Sequence, residues 1–507
     1  MFGLPYRPKE FCIVPPNPKT ILKICRVDEN VVSDDTAFAK LLTEYIAGVS
    51  AKSVVIEHAY IDKDYLEDYA SYYARCFKDY KRRCKRVHFF RKVLSARELE
   101  SIIVDKDMSR AQELNNAYLG FIVVRPLQKT VVGRTCLEPY PQGNSGRRYP
   151  ALCKVPVSLF GIRLTVNCMP FQEQDSNVAA CATCALWSAL YVAAERFGCQ
   201  IHSPSYITTS AMAHGLSSAR EFPNNGIYEE DMIYAIRRAG LDPVVVDFDE
   251  VSAIMLANKF LGNIYAYLKL HIAVIVIVNI KDKNDESMGY HAITVNGYHI
   301  DAAVFNGTKR GNGLFACGID KLYANDDQMV AYSRINVSKK SDGLELISNW
   351  RDKIDRNWCC RFEPVSLIIP VYCKIRVTYE DVWDVANEFD RMIKACRRLM
   401  SSDYVEWDIY LNASNDFKDD IRKDKRLSDT DKLRFLKSNL PRYLWNVGVK
   451  INNCEVALLC IDATDSGQGL QVVGSLFYTG DMIRLAKKVS KIRGDAKDNI
   501  LCSACLS

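Results

Sequence analysis

The stretch QEQDSNVAACATCALWSALYVAAERFG, Gln172 to Gly198, sets Cys181 and Cys184 three residues apart where an apolar helical pattern begins. Such a pair serves three chemistries. A redox pair belongs after a thioredoxin-like strand, and no such βαβ pattern precedes this one. A zinc clip needs two further ligands, for which Cys359, Cys360, Cys502 and Cys505 are candidates only by count. A nucleophile needs a favoured thiolate, which the unpaired backbone N–H groups of a helix N-terminus provide. It also needs a base, and a third group that fixes the imidazole tautomer.

His291 supplies the base, in GYHAITVNGYH between Gly289 and Gly297. Asp326 and Asp327 end a further strand pattern, LYANDDQMVAY. Strand alternation aligns Asp326 with Leu322 and Ala324, towards the interior, which favours it as the orienting carboxylate and leaves Asp327 open. Gln174, seven residues before Cys181, carries an amide able to donate to the oxyanion that forms as a carbonyl is attacked. Cys184 lies one turn into the helix, where first-turn amides are no longer free, and stands as the alternative nucleophile.

Taken in chain order, Gln174, Cys181, His291 and Asp326 resemble the papain-like cysteine peptidase superfamily, in particular the double-glycine leader peptidases that process bacteriocins. Those proteins have a Gln shortly before the nucleophile, a Cys opening an Ala-rich helix, a Gly-His strand motif and a strand ending in Asp. RRAGLDPVVV fits the place of their Gly-Leu helix end, ahead of the strand that leads to His. The resemblance covers residues 170 to about 335. It implies amide-bond chemistry through an acyl thioester, with Cys181 attacking, His291 shuttling the proton, Asp326 orienting it and Gln174 supporting the oxyanion. The papain pattern C-G-S-C-W, aligned instead, makes Cys184 the nucleophile. Leader peptidases usually read Asp-Cys-Gly where this chain has Ala180-Cys181-Ala182. The resemblance therefore names a superfamily and a protein or peptide substrate, with peptidase, deamidase, transglutaminase and acyltransferase outcomes all open. It calls for neither cofactor nor metal.

These residues must be held by a helix followed by strands. Ala182, Ala185, Leu186, Ala189, Leu190 and Ala193 recur at helical spacing, and Gly198 stops the helix. EEDMIYAIRRAG reads as an amphipathic helix, and DPVVVDF, IAVIVIVNI and HAITVNGY read as strands. That order predicts an α+β unit, with the catalytic helix packed on an antiparallel sheet, rather than a doubly wound sheet. Around it, residues 1–112 read as an N-terminal α/β domain with a helical tract from Ile61 to Arg91. Residues 113–338 form the papain-like domain with a β-rich lead-in. The polar stretch VSKKSDG reads as a linker, and residues 339–507 as a C-terminal α/β domain. Within that domain the charged segment NDFKDDIRKDKRLSDTDK reads as a solvated loop or helix face, and a closing helix is expected over Asp481–Arg493.

With 507 residues, 48% of them hydrophobic, the chain can bury more than one core. A net charge of +6 is too small to imply a polyanionic partner for the whole molecule, so any basic surface is local. One local candidate is KDYKRRCKRVHFFRK, Lys78 to Lys92, where basic residues alternate with Tyr and Phe as on single-stranded nucleic-acid surfaces. A solvated helix face is the plainer reading of that run. Nucleic-acid contact there supplies the alternative function, an inactive papain-like scaffold acting as an interaction protein. The first residues lack an apolar run suited to a signal peptide, and Ile272–Val278 is too short to span a bilayer. A cytoplasmic protein with reduced cysteines is expected, with no membrane span.

Overall fold

The computed structural model describes residues 10–478 apart from 26–36, 106–107, 129, 144–145, 176, 214–221, 224–225, 302, 304–312, 341–342, 352–358, 397–403 and 465–469. Its architecture is α+β. The paired strands of every sheet run antiparallel, because each is joined to its neighbours by hairpins or returning helices rather than by right-handed crossovers.

The N-terminal sheet contains β1 (Phe11–Val14), β2 (Ser53–Tyr60), β3 (Cys84–Phe90), β4 (Tyr118–Val124) and β5 (Val132–Leu137), in chain order. Period-two alternation sorts its side chains. Val54, Ile56, Val87, Phe89 and Ile122 pack under helices α1 (Pro18–Cys25) and α2 (Ala37–Val49). Val55, Phe90, Phe121 and Val123 face the other way, where α3 (Lys63–Ser71), α4 (Ala96–Ile103) and α5 (Met108–Asn116) join a larger core. Two expectations are corrected here. The helical tract from Ile61 ends at Ser71, and Cys84–Phe90 is a central strand with apolar side chains on both faces. The boundary at residue 112 moves to about 138, because Tyr118–Leu137 completes this sheet through pairs such as Arg86↔Val123.

The central unit opens with β6 (Arg147–Arg148) and a hairpin of β7 (Cys153–Leu159) and β8 (Ile162–Cys168). Helices α6 (Cys181–Phe197), α7 (Pro204–Met212) and α8 (Glu229–Arg238) follow, then β9 (Asp242–Asp247) and α9 (Ala253–Lys269). Next come β10 (Val274–Lys281), β11 (Ser287–Ile300), β12 (Ile319–Asn325), β13 (Ser333–Lys340), β14 (Gly343–Arg351) and β15 (Cys359–Val371). β10 pairs with β11 on one edge and β15 on the other, so β10 to β15 close into a six-stranded ring, with β9 added on β15 and β6 on β11. The segment read as a linker is instead a hairpin between β13 and β14, with Lys340 opposite Gly343. The boundary expected at 338 therefore falls after Val371. A polar turn and a polar linker share one composition, and pairing tells them apart.

The C-terminal unit has α10 (Tyr379–Cys396) and a sheet of β16 (Val405–Ala413), β17 (Tyr443–Ile451), β18 (Cys454–Asp462) and β19 (Val472–Phe477). The charged segment expected as a loop or helix face forms two helices, α11 (Ser414–Lys423) and α12 (Asp429–Lys437). Phe417, Ile421 and Phe435 anchor them on Leu444 and Leu458. Because both flanking sheets are antiparallel, they are α+β rather than the α/β units expected. Residues 481–493, where the closing helix was expected, lie outside the described residues, as do Cys502 and Cys505. Among the described residues no helix is long and apolar enough to cross a membrane.

Candidate active site

Helix α6 is apolar on nearly every side, and from Ala182 to Ala193 it is buried throughout, as expected of a helix enclosed by other layers. Gly198 ends it in the left-handed conformation at φ 75°. At the other end Ala180 is the N-cap and offers no side-chain acceptor, so Cys181 is the first helical residue of a turn whose leading N–H groups are uncapped. The Thr294 hydroxyl donates to the Ala185 carbonyl at 2.9 Å and fastens this helix to β11.

The loop before Cys181 is built around Asp175. One of its carboxylate oxygens accepts the backbone N–H groups of Asn177, Val178 and Ala179 at 3.1, 2.7 and 2.9 Å. The other accepts the Tyr73 hydroxyl at 2.6 Å. The N-terminal unit thus holds the segment that delivers the thiol.

His291 lies on β11 opposite Val278 of β10, with only 2% of its surface exposed. The β11–β12 register sets Thr294 opposite Asn325. Continued by one residue, it brings Asp326 onto the face that carries His291, as a diagonal cross-strand neighbour. Nε2 of His291 is 3.0 Å from Oδ1 of Asp326 and 3.6 Å from Asp327. Asp326 is well supplied with donors. The same Oδ1 accepts Gln328 N–H at 3.2 Å, and Oδ2 accepts the indole N–H of Trp350 at 2.6 Å. The Trp350 ring also lies against the imidazole, with centroids 5.0 Å apart. Asn325 secures the strand end by donating to the Pro170 carbonyl at 2.9 Å.

Asp326 occupies Nε2, while Nδ1 is buried without a hydrogen-bond partner among the described residues and Cys181 is the thiol near enough to act on the ring. Burial alone would lower the imidazole pKa. The Asp326 charge and hydrogen bond, the neighbouring Cys181 thiol and the Asp327 charge outweigh it, holding His291 well above its ordinary value. Asp327 is placed differently. Both its oxygens are buried without a hydrogen-bond partner among the described residues, and burial followed by Asp326 and Glu173 pushes its carboxyl to about 7, despite His291. The geometry favours Asp326 over Asp327 as the group that orients the ring.

The two cysteines separate as clearly. Cys181 is half-buried, whereas Cys184 is enclosed, and burial followed by Asp327 and Asp175 pushes its thiol well above the usual range. Cys184 is bonded instead to the Gln172 amide at 3.8 Å, a partnership the sequence reading did not foresee. Gln174 is half-buried in the loop, and among the described residues no hydrogen bond reaches its side chain. The first turn of α6 presents backbone N–H groups that the Ala180 side chain does not cap.

One atom each from His291, Asp326 and Asp327 lie within 4.8 Å of one another, the only such group among the described residues with the spacing of a metal site. Two of these atoms, on His291 and Asp326, belong to the hydrogen-bonded pair described above. Cys360 is buried on β15, and every cysteine whose side chain is described is a free thiol. Trp350, Tyr73 and Asp175 also escaped the sequence reading. The NW pair on an alternating strand was the one available signal for Trp350. No protein-family model matches this chain, and no curated protein matches it either.

Proposed function

We propose that this chain is a thiol-dependent amide-bond hydrolase with a papain-like catalytic unit, in which α6 is set against the closed ring of strands. The observation that carries the reading is the buried His291–Asp326 pair at 3.0 Å, whose other ring nitrogen has no partner among the described residues while the Cys181 thiol acts on the same imidazole. In the proposed reaction, the Cys181 thiolate attacks the amide carbon and forms a C–S bond as the carbonyl electrons move onto oxygen. First-turn amides of α6 bind that oxyanion. Collapse breaks the C–N bond, and His291 gives its proton to the departing nitrogen. Water then loses a proton to His291, adds to the thioester and releases the acid and the thiolate. Asp326, held by Trp350, keeps the ring in the tautomer that serves both transfers.

Alkylation by iodoacetamide tests this. Cys181 is half-buried while Cys373 and Cys454 are exposed. An activated thiolate makes Cys181 the first residue labelled, and His291→Ala slows that labelling about tenfold or more. Labelling that simply follows exposure would sink the proposal.

A further inference from the structure

The fold divides the basic tract Lys78–Lys92. Arg86 is enclosed, bonded to Glu57 at 2.6 Å and stacked over the Tyr60 ring. Arg91 pairs with Glu138, and Lys92 with Glu98. Lys81, Arg82 and Arg83 are exposed, and none of their side chains has an ionic or hydrogen-bond partner among the described residues.

These three residues, with Lys85, line a cavity of about 830 Å³ that also presents the half-buried rings of Tyr69 and Tyr80. Among the described residues Asp79 is the only acid on its wall. His58 lines it too, and burial together with the Lys85 charge lowers its pKa, so it adds little positive charge of its own at neutral pH. Two residues before the lining residue Asp79, Phe77 is fully exposed.

The volume is that of a nucleotide-sized ligand. Unpaired cations suit a phosphate backbone, and ring faces suit bases, which stack without regard to sequence. An acidic peptide would use the charges but leave the rings without a role. We propose that this cavity and the adjoining Phe77 bind single-stranded nucleic acid, phosphates on Lys81, Arg82 and Arg83 and bases on Tyr80 and Phe77. The site is independent of whether Cys181 is reactive.

The test uses the full chain and a fluorescent mixed-sequence 20-nucleotide strand, titrated at about 50 and 200 mM salt. Binding should weaken by about tenfold or more between the two, as three or four phosphate contacts require. Arg82→Glu with Arg83→Glu should cost at least about tenfold in affinity. Phe77→Ala, at a surface position with no fold to disturb, should cost about five- to a hundredfold. Lys154→Glu with Arg163→Glu makes the same charge change on the exposed side of the β7–β8 hairpin and should cost less than twofold. The proposal is overturned by absence of binding at low salt, or by equal losses in the two charge-reversal pairs. It is overturned as well if phosphatidylserine vesicles, and not the oligonucleotide, are bound through Arg82 and Arg83.

Discussion

Trp350 donates its indole N–H to the Asp326 oxygen that His291 leaves free, and lays its ring against the same imidazole. A single side chain from β14 therefore fixes both the carboxylate and the ring it orients. Trp350→Phe keeps the ring contact and removes the donor. A hydrogen bond to a charged group contributes about 1.5–3 kcal/mol, so kcat should fall about ten- to a hundredfold, with KM little changed. An unchanged kcat would mean that Asp326 needs no such anchor.

Cys184→Ala separates the two thiols. It removes a buried sulfur bonded to Gln172 and should lower stability by about 1–2 kcal/mol, while the rate of Cys181 labelling stays within about twofold. Loss of labelling in a folded variant would return the chemistry to Cys184.

The acid and base at this site set its pH behaviour. Asp327 has a folded pKa of about 7, above the ordinary carboxylate value of about 3.9. The unfolded chain releases this proton first, so stability is lost as pH rises from about 4 to about 7. His291 is raised well above its ordinary value. Its contribution is complete below about 6.5 and is lost as pH climbs through the higher folded pKa. Both groups favour the acidic side. Asp327→Asn should flatten the stability slope between pH 4 and 7 in urea titrations, and an unaltered slope would show that Asp327 ionises normally.

Tyr73→Phe takes the hydroxyl from Asp175 and leaves a buried carboxylate oxygen one donor short. A stability loss of about 1–3 kcal/mol is expected, with slower labelling of Cys181 as its loop loosens. Full labelling speed would confine Tyr73 to a structural role.

Chelation separates thiol from metal chemistry, since both would draw on His291, Asp326 and Asp327. Treatment with EDTA or phenanthroline should leave hydrolysis unchanged. Added zinc should inhibit by occupying Nε2. Activity lost to a chelator and restored by zinc would reassign the site.

The His291–Asp326 pair and the place of Cys181 at the start of α6 were legible because each residue is chemically distinctive and lies at the end, or near the start, of a well-patterned element. Trp350 and Tyr73 were not. Their contacts join residues 24 and 102 positions apart, through ring closure in one case and domain packing in the other. Local pattern carries no trace of either. The same limit explains β3, where Arg86 and His88 read as surface charge although Glu57 satisfies both inside the sheet. It also explains the boundaries, since the polar residues that separate domains equally make the β13–β14 turn.

A ladder that returns to its own first strand has no loose end at which to fray. β10 is paired along both edges, so its amides, on the strand facing His291, can reach deuterium only when the cylinder breathes as a whole. Admission of a bulky reactant must then depend on movement of the helices and loops on the sulfur's side, with the imidazole wall standing as a fixed anvil.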